Sequence, residues 1–338
     1  MPLSIQAKAF YRQYQTTFSA LEDAAKELRH FIAEVLRDSN LDLHLVTARA
    51  KSAHSVLSKI RRKKYGAPRR QLTDEIGARV VTYYENDVDR VANLLRNRLV
   101  VDEKRSVDKR TQLDIKEFGY RSVHLIARLK GNDAKQPRYA ILRDRLFEIQ
   151  IRSILEHAWA EIEHEINYKA GIKFGHPFRR TFGAIAGSLE ILESQFLHLK
   201  KERNELIEQY KVAYDKHRDG NEELDAARLL ALLEVLRPNG LSWRTAENNG
   251  RQFPPRIEAT CVSALATVNV RTGNQLKSVV KSRLFRSAVR RFASSMGLDP
   301  AETSHFALSV IAVGIINPQL LLEEYPELVE DFALRKLF

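Results

Sequence analysis

The spacing of apolar residues changes character near the middle of this 338-residue chain, and that change limits the folds open to it. Up to about residue 170, helical and extended periods alternate. Residues 10–36 set Phe18, Leu21, Ala25, Leu28, Ile32 and Val35 at three- and four-residue steps, the stripe of a helix that buries one face. A second helix is expected over residues 43–63, stopped by Gly66, Ala67 and Pro68. The β-branched run 76–84 reads as a buried strand, and residues 87–98 turn Val88, Val91, Leu94 and Leu95 to one side of a helix. Residues 100–105, 122–129 and 138–151 are the next strands, and a helix follows over 154–168. This order predicts an α+β unit with a mixed β-sheet flanked by helices. Beyond it, Gly171, Gly175 and Pro177 mark a linker, and residues 182–214 form one long amphipathic helix. Residues 224–236, 258–268, 275–296 and 302–315 are shorter helices between Pro-rich breaks, so the rest is a mostly α-helical domain. The expected division is an N-terminal helix over 1–41, a catalytic unit over 42–175 and a helical region over 176–338.

Charge narrows the partners. The chain carries 55 Lys and Arg against 43 Asp and Glu, a net charge of +12, which favours an anionic partner such as nucleic acid, nucleotide phosphates or an acidic protein. Residues 43–73 contain no acidic side chain, yet they hold Arg49, Lys51, Lys59, Arg61, Arg62, Lys63, Lys64, Arg69 and Arg70. The longest apolar stretch, residues 306–316, is shorter than the roughly 20 residues that span a bilayer, and the N-terminus lacks the build of a signal peptide. The single cysteine, Cys261, excludes an internal disulfide framework and a cysteine-clustered metal site. A cytoplasmic protein with no membrane association is the expectation.

Four constellations carry chemistry. In the first, Lys51, Ser55 and Lys59 recur every four residues, so on a helix they share one face, with Arg49 at its first turn. Two ammonium groups, a hydroxyl and a guanidinium suit a polyphosphate lying along that face. The second is Asp74-x-x-Gly77-x-Arg79 at the entry to a strand, where a carboxylate can bind magnesium and glycine lets the backbone approach a ligand. An ordinary turn aspartate is the alternative. The third runs Lys116-Glu117-Phe118-Gly119-Tyr120-Arg121-Ser122-Val123-His124. Gly119 permits a sharp turn, Tyr120 offers a ring on which a base can stack, and Lys116 and His124 can flank phosphates. In the fourth, Glu148, Gln150 and Arg152 share one face of a strand while Ile149 and Ile151 face the core, a wall leading straight to His157.

Other chemistries find less support. Glu161-x-x-His164 has the spacing of helical di-iron sites but lacks a second copy. No G-x-S-x-G elbow, Walker A sequence or kinase glycine loop occurs.

Taken in this order, the four motifs resemble the synthetase domain of the RelA/SpoT family of (p)ppGpp synthetases, over about residues 42–169. The resemblance implies a nucleotidyltransferase-like fold and transfer of pyrophosphate from ATP to the 3′-hydroxyl of GDP or GTP, with Mg2+ as cofactor. It implies that Arg49, Lys51, Ser55 and Lys59 bind the ATP phosphates and that Arg79 lies against adenine. Asp74 and Glu148 would be the catalytic carboxylates and the metal ligands, Glu148 also orienting the acceptor hydroxyl. Tyr120 would stack on guanine, Lys116 and His124 would contact acceptor phosphates, and Gln150, Arg152 and His157 would complete the acceptor side. Phe118 stands where most members carry asparagine, so the acceptor stays open between a guanine nucleotide, an adenine nucleotide and the 3′ end of tRNA, the last two as in toxic members. No His-Asp dipeptide occurs, so synthesis without a hydrolase domain is expected. The helical half resembles no regulatory domain usual in the long enzymes, and a homo-oligomer contact or a regulatory partner is its expected role. A catalytically silent RNA- or protein-binding module would have lost Asp74 or Glu148, and both are present.

Overall fold

The computed structural model describes residues 4–37, 39, 41, 43–109, 122–170, 176–216, 220–236, 257–297, 299–300, 303–326 and 329. Its contacts divide the chain into two units, Met1–Leu197 and His198–Phe338.

In the first unit, helices α1 (Ile5–Thr16) and α2 (Phe18–Leu36) precede strand β1 (Leu43–Ala50), helix α3 (Ala53–Lys63) and a single turn α4 (Pro68–Gln71). Strand β2 (Ile76–Thr82), helix α5 (Asn86–Arg98), and strands β3 (Leu99–Val101), β4 (Val107–Asp108) and β5 (Val123–Leu129) follow. A short helix α6 (Gly131–Lys135), a 3-10 segment (Pro137–Leu142), strand β6 (Phe147–Ser153), helix α7 (Ile154–Ala170) and the residues of α8 (His176–Asp215) up to Leu197 complete the order, the rest of α8 belonging to the second unit. The six strands form one sheet in the order β1-β2-β6-β5-β3, with β4 also on β5. Only β2 and β6 run parallel; every other pair is antiparallel. The sheet is therefore mixed and flanked by helices, as expected.

Strand parity separates core from site. Ile76, Val80, Ile149, Ile151 and Leu125 are at most 1% exposed and pack with Leu28, Phe31 and Ile32 of α2 and Val88, Val91 and Leu95 of α5. Removing each such side chain from water stabilises the fold by about 1.5–3 kcal/mol. Because side chains alternate across a pleated strand, Gly77, Arg79, Glu148, Gln150 and His124 lie on the opposite face.

Several boundaries differ from the periodicity reading. Residues 43–50 are strand, not helix: Val46 and Thr47 are β-branched, and the segment pairs along its whole length with β2. The helix starts only after Ser52, whose Oγ accepts the Ser55 N–H at 3.2 Å. Arg49 therefore sits on a strand, and Lys51 precedes the helix. The stripe over 10–36 is two helices, broken at Thr17. The strand expected over 138–151 begins only at Phe147, because Pro137 starts the 3-10 segment and Asp144 takes a φ of 59°. Pro177 falls in the first turn of α8, where a proline is tolerated, while Gly171 and Gly175 lie outside the described residues.

The regular structure of the second unit, among its described residues, is helical, with one isolated bridge between Glu223 and Thr272. Helices α9 (Ala226–Leu236), α10 (Ile257–Thr267), α11 (Gly273–Lys281), α12 (Arg283–Met296), α13 (His305–Ile316) and α14 (Pro318–Glu324) bury Leu229, Leu232, Leu265, Leu276, Phe285 and Ile311 together. The helix expected over 275–296 is two, because Ser282 leaves the helical conformation and caps α12 by accepting the Phe285 N–H at 3.1 Å. Apolar α13 is the centre of this core, and no single helix among the described residues is long and apolar enough to cross a membrane. Cys261 is buried there and reduced.

Candidate active site

Register alone brings the motif residues together. Arg49 on β1 lies opposite Gly77 on β2, Gly77 lies beside Glu148 on β6, Arg79 lies beside Gln150, and Gln150 lies opposite His124 on β5. A cavity of about 330 Å³ opens on this face, bordered by Arg49, Lys51, Asp74, Arg79, Glu148 and Gln150. Gly77 also lines it, and a Cβ there would meet nothing within 4 Å, so glycine is not required by space at this point.

Asp74 sits between two cations. Its Oδ2 is 2.6 Å from Lys51 Nζ and 2.7 Å from Lys59 Nζ, and its side chain is only 11% exposed. Lys51 arrives from the end of β1 and Lys59 from the second turn of α3. The other carboxylate oxygen, Oδ1, is buried without a hydrogen-bond partner. Ser55, one turn before Lys59, is exposed, and its hydroxyl accepts from Ser52 Oγ at 2.9 Å.

Glu148 is the second carboxylate. Its Oε1 accepts from Gln150 Nε2 at 2.9 Å and lies 2.9 Å from His124 Nδ1. Burial pushes its carboxyl up, but the hydrogen bonds from His124 and Gln150, the charge on His124 and the ammonium of Lys59 outweigh it and hold the group at about 2. It is ionised at any physiological pH.

The far end of the face is tied to α7. Glu161 Oε1 lies 3.0 Å from Arg79 and 3.3 Å from Arg152, with His157 Nδ1 at 3.8 Å. Arg152 is 2% exposed. Burial, then the neighbouring Arg152 and Arg79, lowers the His157 imidazole below its ordinary range. Of the motif residues, then, Arg49, Lys51, Lys59, Asp74, Arg79, His124, Glu148, Gln150, Arg152 and His157 are placed along one face and its α7 edge. Lys116, Phe118 and Tyr120 lie outside the described residues.

Two further residues belong to this neighbourhood. Lys109, just after β4, is lowered by burial against the opposing pull of Glu148 and Glu163, so its ammonium sits in the field of the site carboxylate. A lone lysine after a two-residue strand gave no spacing to read. Glu161 is the other; its spacing to His164 suggests a di-iron pair without a second copy, whereas in the fold it holds Arg79 and Arg152. Among the described residues no three His, Cys, Asp or Glu side chains converge as a metal cage.

This arrangement suits a polyanion: cations at the β1–α3 end, two carboxylates in the middle and guanidinium groups towards α7. Residues 48–173 match the region found in RelA / SpoT proteins. GTP pyrophosphokinase YjbM of Bacillus subtilis (strain 168) is 25% identical over 190 residues, 55% of this chain and 83% of that protein. GTP pyrophosphokinase YwaC of the same organism is 28% identical over 160 residues, 46% of this chain and 72% of that protein. The crystal structure of small alarmone synthetase 1 from Bacillus subtilis superposes with a TM-score of 0.47 at 24% identity, covering 57% of this chain and 98% of that one.

Proposed function

Because residues 48–173 match the region found in RelA / SpoT proteins, we propose that the chain is a pyrophosphokinase. In this reading it transfers the β,γ-pyrophosphoryl group of ATP to the 3′-hydroxyl of GDP or GTP and releases AMP. The observation that carries the reading is the convergence of Lys51 and Lys59 on Asp74 beside Glu148, in one cavity whose rim also holds Arg49 and Arg79.

Such a transfer needs little covalent chemistry from a protein, only alignment of a hydroxyl with phosphorus and neutralisation of charge. Lys51, Lys59 and Arg49 bind the donor phosphates, and Arg79, held by Glu161 at the α7 edge, packs against adenine. Glu148, with a carboxyl near 2, has too little proton affinity for a strong general base. It orients the acceptor hydroxyl through a hydrogen bond, while His124 and Gln150 fix its own rotamer. Tyr120 and Lys116 serve the acceptor base and phosphates.

Magnesium fits the donor set. The unpartnered, buried Oδ1 of Asp74 and the carboxylate of Glu148 are hard oxygen ligands, and two carboxylates with substrate phosphates and water are a sufficient set for this ion. When bound there it would neutralise charge on the donor phosphates.

A second reading keeps the donor chemistry and changes the acceptor to an adenine nucleotide or the 3′ end of tRNA. It is favoured by the six exposed cations Arg61, Arg62, Lys63, Lys64, Arg69 and Arg70 on α3, α4 and the loop between them, a density of charge that a phosphate backbone would match. Incubation with γ-labelled ATP and, in separate reactions, GDP, GTP, ATP or deacylated tRNA distinguishes the two. Label in a guanosine 3′-pyrophosphate supports the first, and label in an adenosine product or in tRNA supports the second. No magnesium-dependent labelled product with any acceptor would defeat both.

A further inference from the structure

The Lys51–Asp74 pair stands on a backbone junction whose third support comes from the N-terminal helix. β1 ends at Ala50, so Lys51 has left the ladder, and helix α3 has not yet begun. Both of its main-chain groups still need partners, since an unpaired buried amide or carbonyl is costly. The Lys51 N–H donates to the Glu75 carbonyl at 2.9 Å. Its carbonyl accepts from the Tyr14 hydroxyl at 2.6 Å, and that hydroxyl also stands 3.5 Å from the Glu75 carbonyl. One phenol on α1 thus touches the main chain of both segments that carry the pair, Lys51 on one side and the residue after Asp74 on the other.

Tyr14 is built into this position. It is 2% exposed and lies in a row of rings, 5.9 Å from Phe10 and 6.3 Å from Phe18. Burial, then the charges of Glu75 and Asp74, pushes its phenol well above the ordinary range, so the hydroxyl keeps its proton and remains a donor. Next to it is a cavity of about 360 Å³ lined by Phe10, Gln13, Tyr14, Arg69 and Glu75 among others. The ring is thus flanked by Phe10 and Phe18 and borders this cavity, while the hydroxyl at its tip bonds the Lys51 carbonyl.

We propose that Tyr14 is a positioning residue for the donor site: its hydroxyl fixes the backbone of Lys51 and so sets where the Lys51 ammonium meets Asp74 and the ATP phosphates. The proposal rests on the reading of this face as a pyrophosphokinase site, and it assigns α1 a role in donor binding that no motif in the chain carries. Tyr14 touches no substrate; it acts through Lys51.

The test uses the full chain and a double-mutant cycle on binding of a non-hydrolysable ATP analogue, measured by calorimetry with magnesium. Tyr14→Phe keeps the ring and loses the hydroxyl. It should weaken analogue binding, and raise KM for ATP, by up to about tenfold, the scale of one lost hydrogen bond, with KM for the acceptor within about twofold of wild type. In a Lys51→Ala background the same change should leave analogue binding within about twofold, because residues acting through one contact are not additive. Incorporation of 3-fluorotyrosine at position 14, which restores ring and donor, should restore the affinity and serves if Tyr14→Phe does not fold. A lower Tm with unchanged analogue affinity, fully additive losses in the cycle, or no rescue by fluorotyrosine would overturn the proposal. If the wild type binds the analogue but transfers to no guanine acceptor, the guanine reading fails while the binding cycle still decides the role of Tyr14.

Discussion

Replacing Glu148 with glutamine removes one charge at the centre of the site and changes little else in shape. Its carboxyl drops from an ordinary 4.5 to about 2 in the fold, which corresponds to about 3 kcal/mol of stability at neutral pH. The side chain is 14% exposed, so solvent screening removes only part of that figure. The sign follows from proton binding. Between about 2 and 4.5 the unfolded chain holds a proton at this position that the folded chain has lost, so stability from Glu148 is complete above 4.5 and disappears as pH falls through 2. Glutamine can still donate or accept locally, but it cannot attract His124 and Lys59. Urea unfolding of the first unit, followed by Trp159 fluorescence, should show Glu148→Gln about 2–3 kcal/mol less stable than wild type at pH 7. The gap should narrow to about half near pH 3.3, midway through the window. Pyrophosphate transfer at pH 7 should be abolished. An equal stability gap at both pH values would show that the loss comes from packing or hydrogen bonding and not from the charge, and would refute the electrostatic account of this carboxylate.

Asp74→Asn should lower transfer by at least about a hundredfold, the size lost when one preorganised electrostatic group is removed, because Lys51 and Lys59 would then face each other across a neutral amide; unchanged magnesium-dependent turnover would contradict its assignment. Tyr120→Ala should weaken the acceptor by about 1–3 kcal/mol, the worth of a base stacked on an aromatic ring, with ATP affinity unaltered, and equal losses for both substrates in steady-state kinetics would place the tyrosine elsewhere. A chain ending at Leu197 should melt higher than one ending at Ala170. The first retains the Glu193 carboxylate on buried Ser153 and the Phe182 ring against Trp159 at 6.2 Å, and the second exposes both partners; identical Tm values would show that α8 does not support the sheet. If the helical half regulates transfer, the Leu197 form will also differ from the full chain in specific activity.

What could be read from sequence was what a residue does to its own element. Alternation over residues 147–152 gave the wet and dry faces of β6, and the wet side is where Glu148 and Gln150 line the cavity. The acid-free tract over 43–73 located the positive field. Residues 43–50 read as helix from sequence because Arg49, Lys51, Ser55 and Lys59 fit a helical face, whereas pairing with β2 makes the segment a strand, in keeping with its β-branched Val46 and Thr47. Lys109 and Tyr14 left no trace, since one is a solitary lysine and the other bonds to main-chain carbonyls, which carry no side-chain pattern.

The strand at Leu43–Ala50 changes the chemistry as well as the topology. Lysines eight residues apart on one helix would project side by side, two turns and about 12 Å along its axis, and would share one small anionic group only by bending toward each other. Placing Lys51 at the end of β1 and Lys59 on α3 lets the two ammonium groups reach a single oxygen of Asp74 from different elements, at 2.6 and 2.7 Å. Asp74 in turn precedes β2, whose antiparallel pairing with β1 fixes the separation of the two segments. In the proposed reading a donor phosphate entering this cavity meets cations whose spacing is set by the β1–β2 pairing and by the Tyr14 bond, so loss of the Tyr14 hydroxyl should alter donor affinity before it alters the fold.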